Sequence, residues 1–99
     1  MSDQRRILES IAARERVLDR VRAILVDKLR VERAPSEIDP DVALFGTGLG
    51  LDSVDAVELL VCLETELGLK IPDASVARPA MRTVNTLVDM VLAAKEGAR

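Results

Sequence analysis

The chain has 99 residues, 48% of them hydrophobic and nearly all of those aliphatic, with 14 Lys/Arg against 17 Asp/Glu for a formal charge of −3. This is one small domain, with room for a single core but not for a core plus a deep catalytic cleft. It has no His, Trp or Tyr, and Phe45 and Cys62 stand alone, which removes the usual general base, base-stacking platforms, and disulfide or zinc–cysteine frameworks.

Residues 2–31 carry a helical period: Ile7, Ile11, Leu18, Val21, Leu25 and Leu29 recur at spacings of three, four or seven. Ser2-Asp3 is a suitable start. The run is long for one helix of so small a domain, so residues 1–14 are read as an N-terminal extension of the first helix and residues 15–97 as the domain proper. Basic residues here alternate with acidic ones, as on a solvated face and not as on a nucleic-acid or membrane patch. Arg14, Glu15 and Arg16 interrupt any apolar core that a signal peptide needs, and no apolar run nears the roughly 18 residues of a membrane span. The expectation is a cytoplasmic monomer with no membrane insertion.

Residues 32–52 form a long connection. Pro35 and Pro40 stop helix propagation, while Gly46, Gly48 and Gly50 suggest a flexible approach to Asp52. Val42, Leu44, Phe45, Leu49 and Leu51 are expected to pin this loop to the core. A Gly-rich run invites comparison with a phosphate-cradling loop, but no strand precedes it and no Gly-Lys-Ser/Thr follows.

The second helix is predicted from Ser53 to Leu67, with Gly68 as C-cap. Asp52 at the N-cap with Asp55 three residues on has capping-box spacing, and both carboxylates complement the positive helix end. Leu59, Leu63 and Leu67, with Ala56 and Leu60 beside them, form the core face. Val54, Glu58, Val61 and Thr65 fall on another face, either as an exposed docking strip or with Val54 and Val61 packed under the preceding loop. Ile71-Pro72-Asp73 is a turn, and residues 74–82 contain a short helix limited by Pro79. A last helix begins near the N-cap Thr83 and runs to about Glu96, with Val84, Leu87, Val88, Val91 and Leu92 as its apolar face. The fold class is all-α: a small four-helix bundle of three main helices and a minor third, with a long loop between helices 1 and 2.

Charge is segregated along the chain. Residues 1–35 carry a net +3, residues 36–76 a net −8, and residues 77–99 a net +2. The acidic middle would steer basic protein partners toward the Asp52-Ser53 region and repel nucleic acid. Ser53 has no local base to activate it and is no catalytic nucleophile in its own right, so the chain is not read as an enzyme. Cys62 lies in an apolar run and reads as a small buried hydrophobe. Asp52 and Asp55 are helix-start caps sooner than metal ligands, and no metal site is expected.

The run Gly50-Leu-Asp-Ser-Val-Asp-Ala-Val-Glu-Leu59 resembles the phosphopantetheine attachment motif of acyl carrier proteins. The likeness continues through Glu64-Thr-Glu-Leu-Gly-Leu-Lys-Ile-Pro-Asp73 and the Thr83-Val84 opening of the final helix, covering roughly residues 15–96. The resemblance implies an acyl carrier domain in which a separate phosphopantetheinyl transferase esterifies Ser53 with 4′-phosphopantetheine from coenzyme A. It further implies that Asp52 helps position the serine and Mg²⁺ at the transferase interface. Val54, Asp55, Glu58 and Val61 would then face partner enzymes that load and process acyl groups in fatty-acid, polyketide or specialised lipid biosynthesis. Thr65 and Lys70 stand where strongly acidic fatty-acid carriers have carboxylates, and Val54 stands where leucine is commoner. The glycine-rich approach, Pro79 and the N-terminal extension also depart from the pattern, and together they suggest a specialised pathway. A peptidyl or aminoacyl carrier, or a helical interaction module in which Ser53 is only a cap, are the alternatives.

Overall fold

In the computed structural model, which describes residues 2–71 and 74–97, the first helix α1 is a single unbroken segment, Ser2–Asp27. At about 1.5 Å per residue it is roughly 39 Å long, and it sets the long dimension of a molecule measuring 44 × 29 × 21 Å. Its core contribution begins only at Val17 and continues through Val21, Ile24 and Leu25. Ile7, Leu8 and Ile11, on the preceding turns, are exposed. The expected run to Val31 is therefore four residues too long. The helix ends in widened turns, with Leu29 N–H donating to Ile24 O at 3.3 Å and Val31 N–H to Leu25 O at 3.0 Å. Arg30 takes the left-handed conformation there (φ 59°), a position where glycine would be less strained.

The connection to the second helix is more ordered than its glycines suggest. It holds a short 3₁₀ turn, Pro35–Glu37, and then buries Ile38 completely, a core residue that the periodic pattern does not reveal. Leu44 and Leu51 are buried, and Val42, Phe45 and Leu49 pack against the core, as expected of them. The loop is laced to the start of the last helix by alternate residues. Asn85 N–H donates to Pro40 O at 2.7 Å, Val84 N–H to Val42 O at 3.2 Å, and Leu44 N–H to Arg82 O at 3.1 Å. Isolated bridges join Ala43 to Thr83 and Phe45 to Leu51, and no strand forms among the described residues.

Helix α2 is Ser53–Leu67, closed by Gly68 in the left-handed conformation (φ 64°). Leu59 and Leu63 are fully buried, with Ala56, Leu60 and Leu67 half-buried beside them. The turn expected at Ile71-Pro72-Asp73 lies largely outside the described residues. Helix α3 is the minor one, Ala74–Ala80, with Pro79 inside its last turn. Thr83 caps α4, Val84–Gly97, through a reciprocal pair: Thr86 N–H donates to Thr83 Oγ1 at 3.1 Å, and Thr83 N–H to Thr86 Oγ1 at 3.0 Å. Val84, Leu87, Val88 and Val91 are fully buried. Helix α1 packs on α4 and α2, and α3 packs on α4. The all-α, four-helix architecture with a minor third helix is the one the sequence predicts. Arg14 adds a polar clasp between α1 and α4, donating to Asp89 Oδ1 at 2.6 Å and to Asn85 Oδ1 at 3.0 Å.

Candidate functional site

Asp52, and not Ser53, caps α2. Asp52 lies in extended backbone (φ −110°, ψ −176°), as an N-cap must. Its Oδ1 accepts the Asp55 N–H at 2.9 Å, and Asp55 Oδ2 accepts the Asp52 N–H at 3.0 Å. Ala56 N–H donates to Asp52 O at 3.0 Å, the first helical bond. Two of the donors that a helix start leaves unpaired are thus satisfied reciprocally, and both carboxylates sit at the positive end of the helix dipole. Ser53 is consequently the first helical residue. It is exposed, and its hydroxyl has no hydrogen-bond partner among the described residues.

The loop before Asp52 holds this arrangement firmly. Gly46 and Gly50 adopt φ of 64° and 72°, a conformation open to glycine at little cost. At Gly48 the constraint is space: a Cβ there would lie 2.0 Å from Ala43 O. Leu49 N–H donates to the same carbonyl at 2.9 Å, and Leu51 N–H donates to Leu44 O at 3.0 Å. Gly46 and Gly50 therefore serve the left-handed turns of the loop, and Gly48 a close backbone approach.

Beside Ser53 the loop, α2 and α3 enclose a cleft of about 420 Å³. Phe45 lines it from the loop; Ser53, Ala56, Val57 and Leu60 line it from α2; Ala77, Arg78 and Met81 close the far side. Apart from Arg78 and Ser53, these lining side chains are apolar. The outer face of α2 carries a second feature. Val54, Val57 and Val61 are 73%, 63% and 54% exposed, with Glu58 exposed between them. Packing of Val54 and Val61 beneath the loop is excluded. Val57, three residues from Val54 and four from Val61, belongs to the same stripe, and that spacing was available to identify it. The Asp55 carboxylate is half-buried and committed to the capping box, at the edge of this face. Cys62 is only half-buried, and burial first, then the Glu66 and Glu58 carboxylates, raise its thiol above the ordinary value. A thiol held protonated is a poor nucleophile. Among the described residues no three His, Cys, Asp or Glu side chains converge to hold a metal ion, and no helix there is long and apolar enough to cross a membrane.

The profile of the phosphopantetheine attachment-site family matches residues 19–91, which span α2 with its capping box and the lead-in loop. The chain is 37% identical over 75 residues to a protein of Thermosynechococcus vestitus named acyl carrier protein, an overlap covering 76% of this chain and 86% of that relative. It is 40% identical over 82 residues to a Cyanidioschyzon merolae protein of the same name, covering 83% of this chain and 85% of that relative. The chain belongs to the acyl carrier protein family. Acyl carrier proteins hold a covalent 4′-phosphopantetheine group and are carriers, not catalysts. They work with a phosphopantetheinyl transferase and with acyl-processing enzymes in general.

Proposed function

We propose that Ser53 is the phosphopantetheine attachment point of this chain and that the protein presents acyl groups from that residue to partner enzymes. One observation carries the reading: the Ser53 hydroxyl is exposed and, among the described residues, without a partner at the head of α2, because Asp52 already does the capping. The residues present fit the group. A helix N-terminus favours a phosphodiester, and an apolar cleft lies alongside. When attached, the group supplies a terminal thiol on which acyl chains are held as thioesters. The chain's own part is to hold Ser53 rigid and accessible, to offer Asp52 to the transferase, and to expose Val54, Val57, Glu58 and Val61 to partners, with Asp55 at their edge. Three valines around a carboxylate provide apolar contact area together with charge selection. Residues 15–97 form the carrier domain in this reading, with residues 1–14 as an extension of α1, and the protein acts as a cytoplasmic monomer. The weakened acidity at Thr65 and Lys70 supports a specialised polyketide or lipid pathway over bulk fatty-acid synthesis.

Intact-mass analysis after incubation with coenzyme A, Mg²⁺ and a broad-specificity transferase tests this. A single phosphopantetheine addition is expected in the wild type and none in Ser53→Ala. That variant should fold within about 0.5 kcal/mol of wild type, because an exposed hydroxyl without a partner is removed. An addition that survives Ser53→Ala refutes the assignment. Loading assays with acyl and aminoacyl donors then separate the cargo classes, with acyl loading expected.

A further inference from the structure

We infer that Arg78 is the counter-charge for the phosphodiester on Ser53, a positioning residue that α3 holds across the cleft from the attachment point. The inference rests on Ser53 being that point. The anion would join Asp52, Asp55 and Glu58 around the first turns of α2. Within residues 36–76 the only cation is Lys70, beyond the far end of α2. Neither α2 nor its lead-in loop can therefore neutralise the group. Helix α3 supplies what they lack. Arg78 is exposed and lines the same cleft as Ser53, and among the described residues it is the only charged one that does so. Ala77 and Met81, both buried, anchor the backbone on either side of it. Among the described residues no carboxylate lies within ion-pair distance of its guanidinium, whereas Arg5, Arg14 and Arg22 each have one.

A guanidinium suits this task better than an ammonium, since its planar fork matches two phosphate oxygens at once. A pair formed at the mouth of an apolar cleft is also screened less than one in open solvent. Pairing would lay the prosthetic arm toward α3 and over the cleft, where Val57 stands, and would leave Val54 and Val61 of the α2 stripe uncovered for partners. Arg82, four residues on, lies outside the cleft lining and serves as the control.

The test compares melting temperatures of apo- and holo-protein for wild type, Arg78→Gln and Arg82→Gln, with full conversion verified by mass. A chain that takes no group at Ser53 fails the underlying reading at that mass step, before Arg78 is in question. At low ionic strength Arg78→Gln is expected to lower the melting temperature of the holo-protein more than that of the apo-protein. The excess should shrink at about 1 M salt, where the screening length is about 3 Å. Arg82→Gln should show no excess. The ³¹P resonance of the holo-protein gives a second readout, moving with Arg78→Gln and staying in place with Arg82→Gln. Arg78→Lys, which keeps the charge but not the fork, should retain part of the effect and stands in if the Gln variant does not fold. Equal losses in apo- and holo-protein, an excess undiminished at about 1 M salt, or the same excess from Arg82→Gln would overturn the inference.

Discussion

Replacing Gly48 by alanine should unsettle the loop that leads to Asp52 without touching any core side chain. The new Cβ would lie 2.0 Å from Ala43 O, 2.7 Å from Ala43 C and 3.0 Å from Ala43 Cα. All three are backbone atoms, so no rotamer change can relieve the contact. The Ala43 segment of the loop must retreat, and the bonds from Leu49 N–H to Ala43 O and from Leu51 N–H to Leu44 O are the first to lengthen. Two net hydrogen bonds at about 1 kcal/mol each, with about 1 kcal/mol of residual backbone strain, amount to a loss of about 3 kcal/mol. Gly46→Ala is the matched comparison. Nothing lies within 4 Å of its added Cβ, but its φ of 64° is unfavourable for alanine, so about 1 kcal/mol is expected. Urea unfolding followed by far-UV circular dichroism reads the difference, since the chain has no tryptophan. With a slope of about 1 kcal/mol/M, the midpoint should fall by about 3 M for Gly48→Ala and about 1 M for Gly46→Ala. Equal midpoints for the two variants would refute the close-approach argument.

Other substitutions separate overlapping roles. Asp52→Ala should cost about 1 kcal/mol in urea unfolding through the lost cap, whereas Asp52→Asn should hold stability within a few tenths; if the Asp52 charge serves the transferase, the Asn variant will fold normally and accept phosphopantetheine more slowly by timed mass analysis. Arg30→Gly should raise the unfolding midpoint by an amount worth about 0.5–1 kcal/mol, because the left-handed φ of 59° is relieved. Cys62 should react with a maleimide more slowly in the folded apo-protein than in the urea-unfolded chain at pH 8. Burial and the nearby Glu66 and Glu58 carboxylates raise its folded value above that of an ordinary thiol, so the folded protein holds less thiolate, and the gap should narrow as pH rises through the folded value. The same shift favours the folded state below the ordinary thiol range and loses that contribution at higher pH.

The elements most readily read from the sequence are those where local rules and packing agree. The capping box at Asp52 and Asp55, the Gly68 stop and the Thr83 start are each set within a few residues, and each stands as expected. The leucine register of α2 and the valine register of α4 need only the 3.6-residue period. What escaped depends on partners remote in sequence. Ile38 is buried because the loop folds back over α1, where Arg22 Nε donates to its carbonyl at 2.9 Å. Gly48 matters because of Ala43, a contact that composition describes only as flexibility. The end of α1 was overrun because Leu29 continues the apolar period after the backbone has left the helix. Arg78 carries no local signal, since its placement beside Ser53 comes from the packing of α3 on α4.

The cleft beside Ser53 has a spectroscopic consequence. Phe45, the only aromatic residue of the chain, stands in its wall. Biosynthetic incorporation of a fluorinated phenylalanine would therefore give a protein with a single ¹⁹F resonance, assigned without any mutagenesis. That one line sits in the cleft wall beside Ser53, so a change in its position or width on loading would report whether a group carried on that residue contacts the cleft.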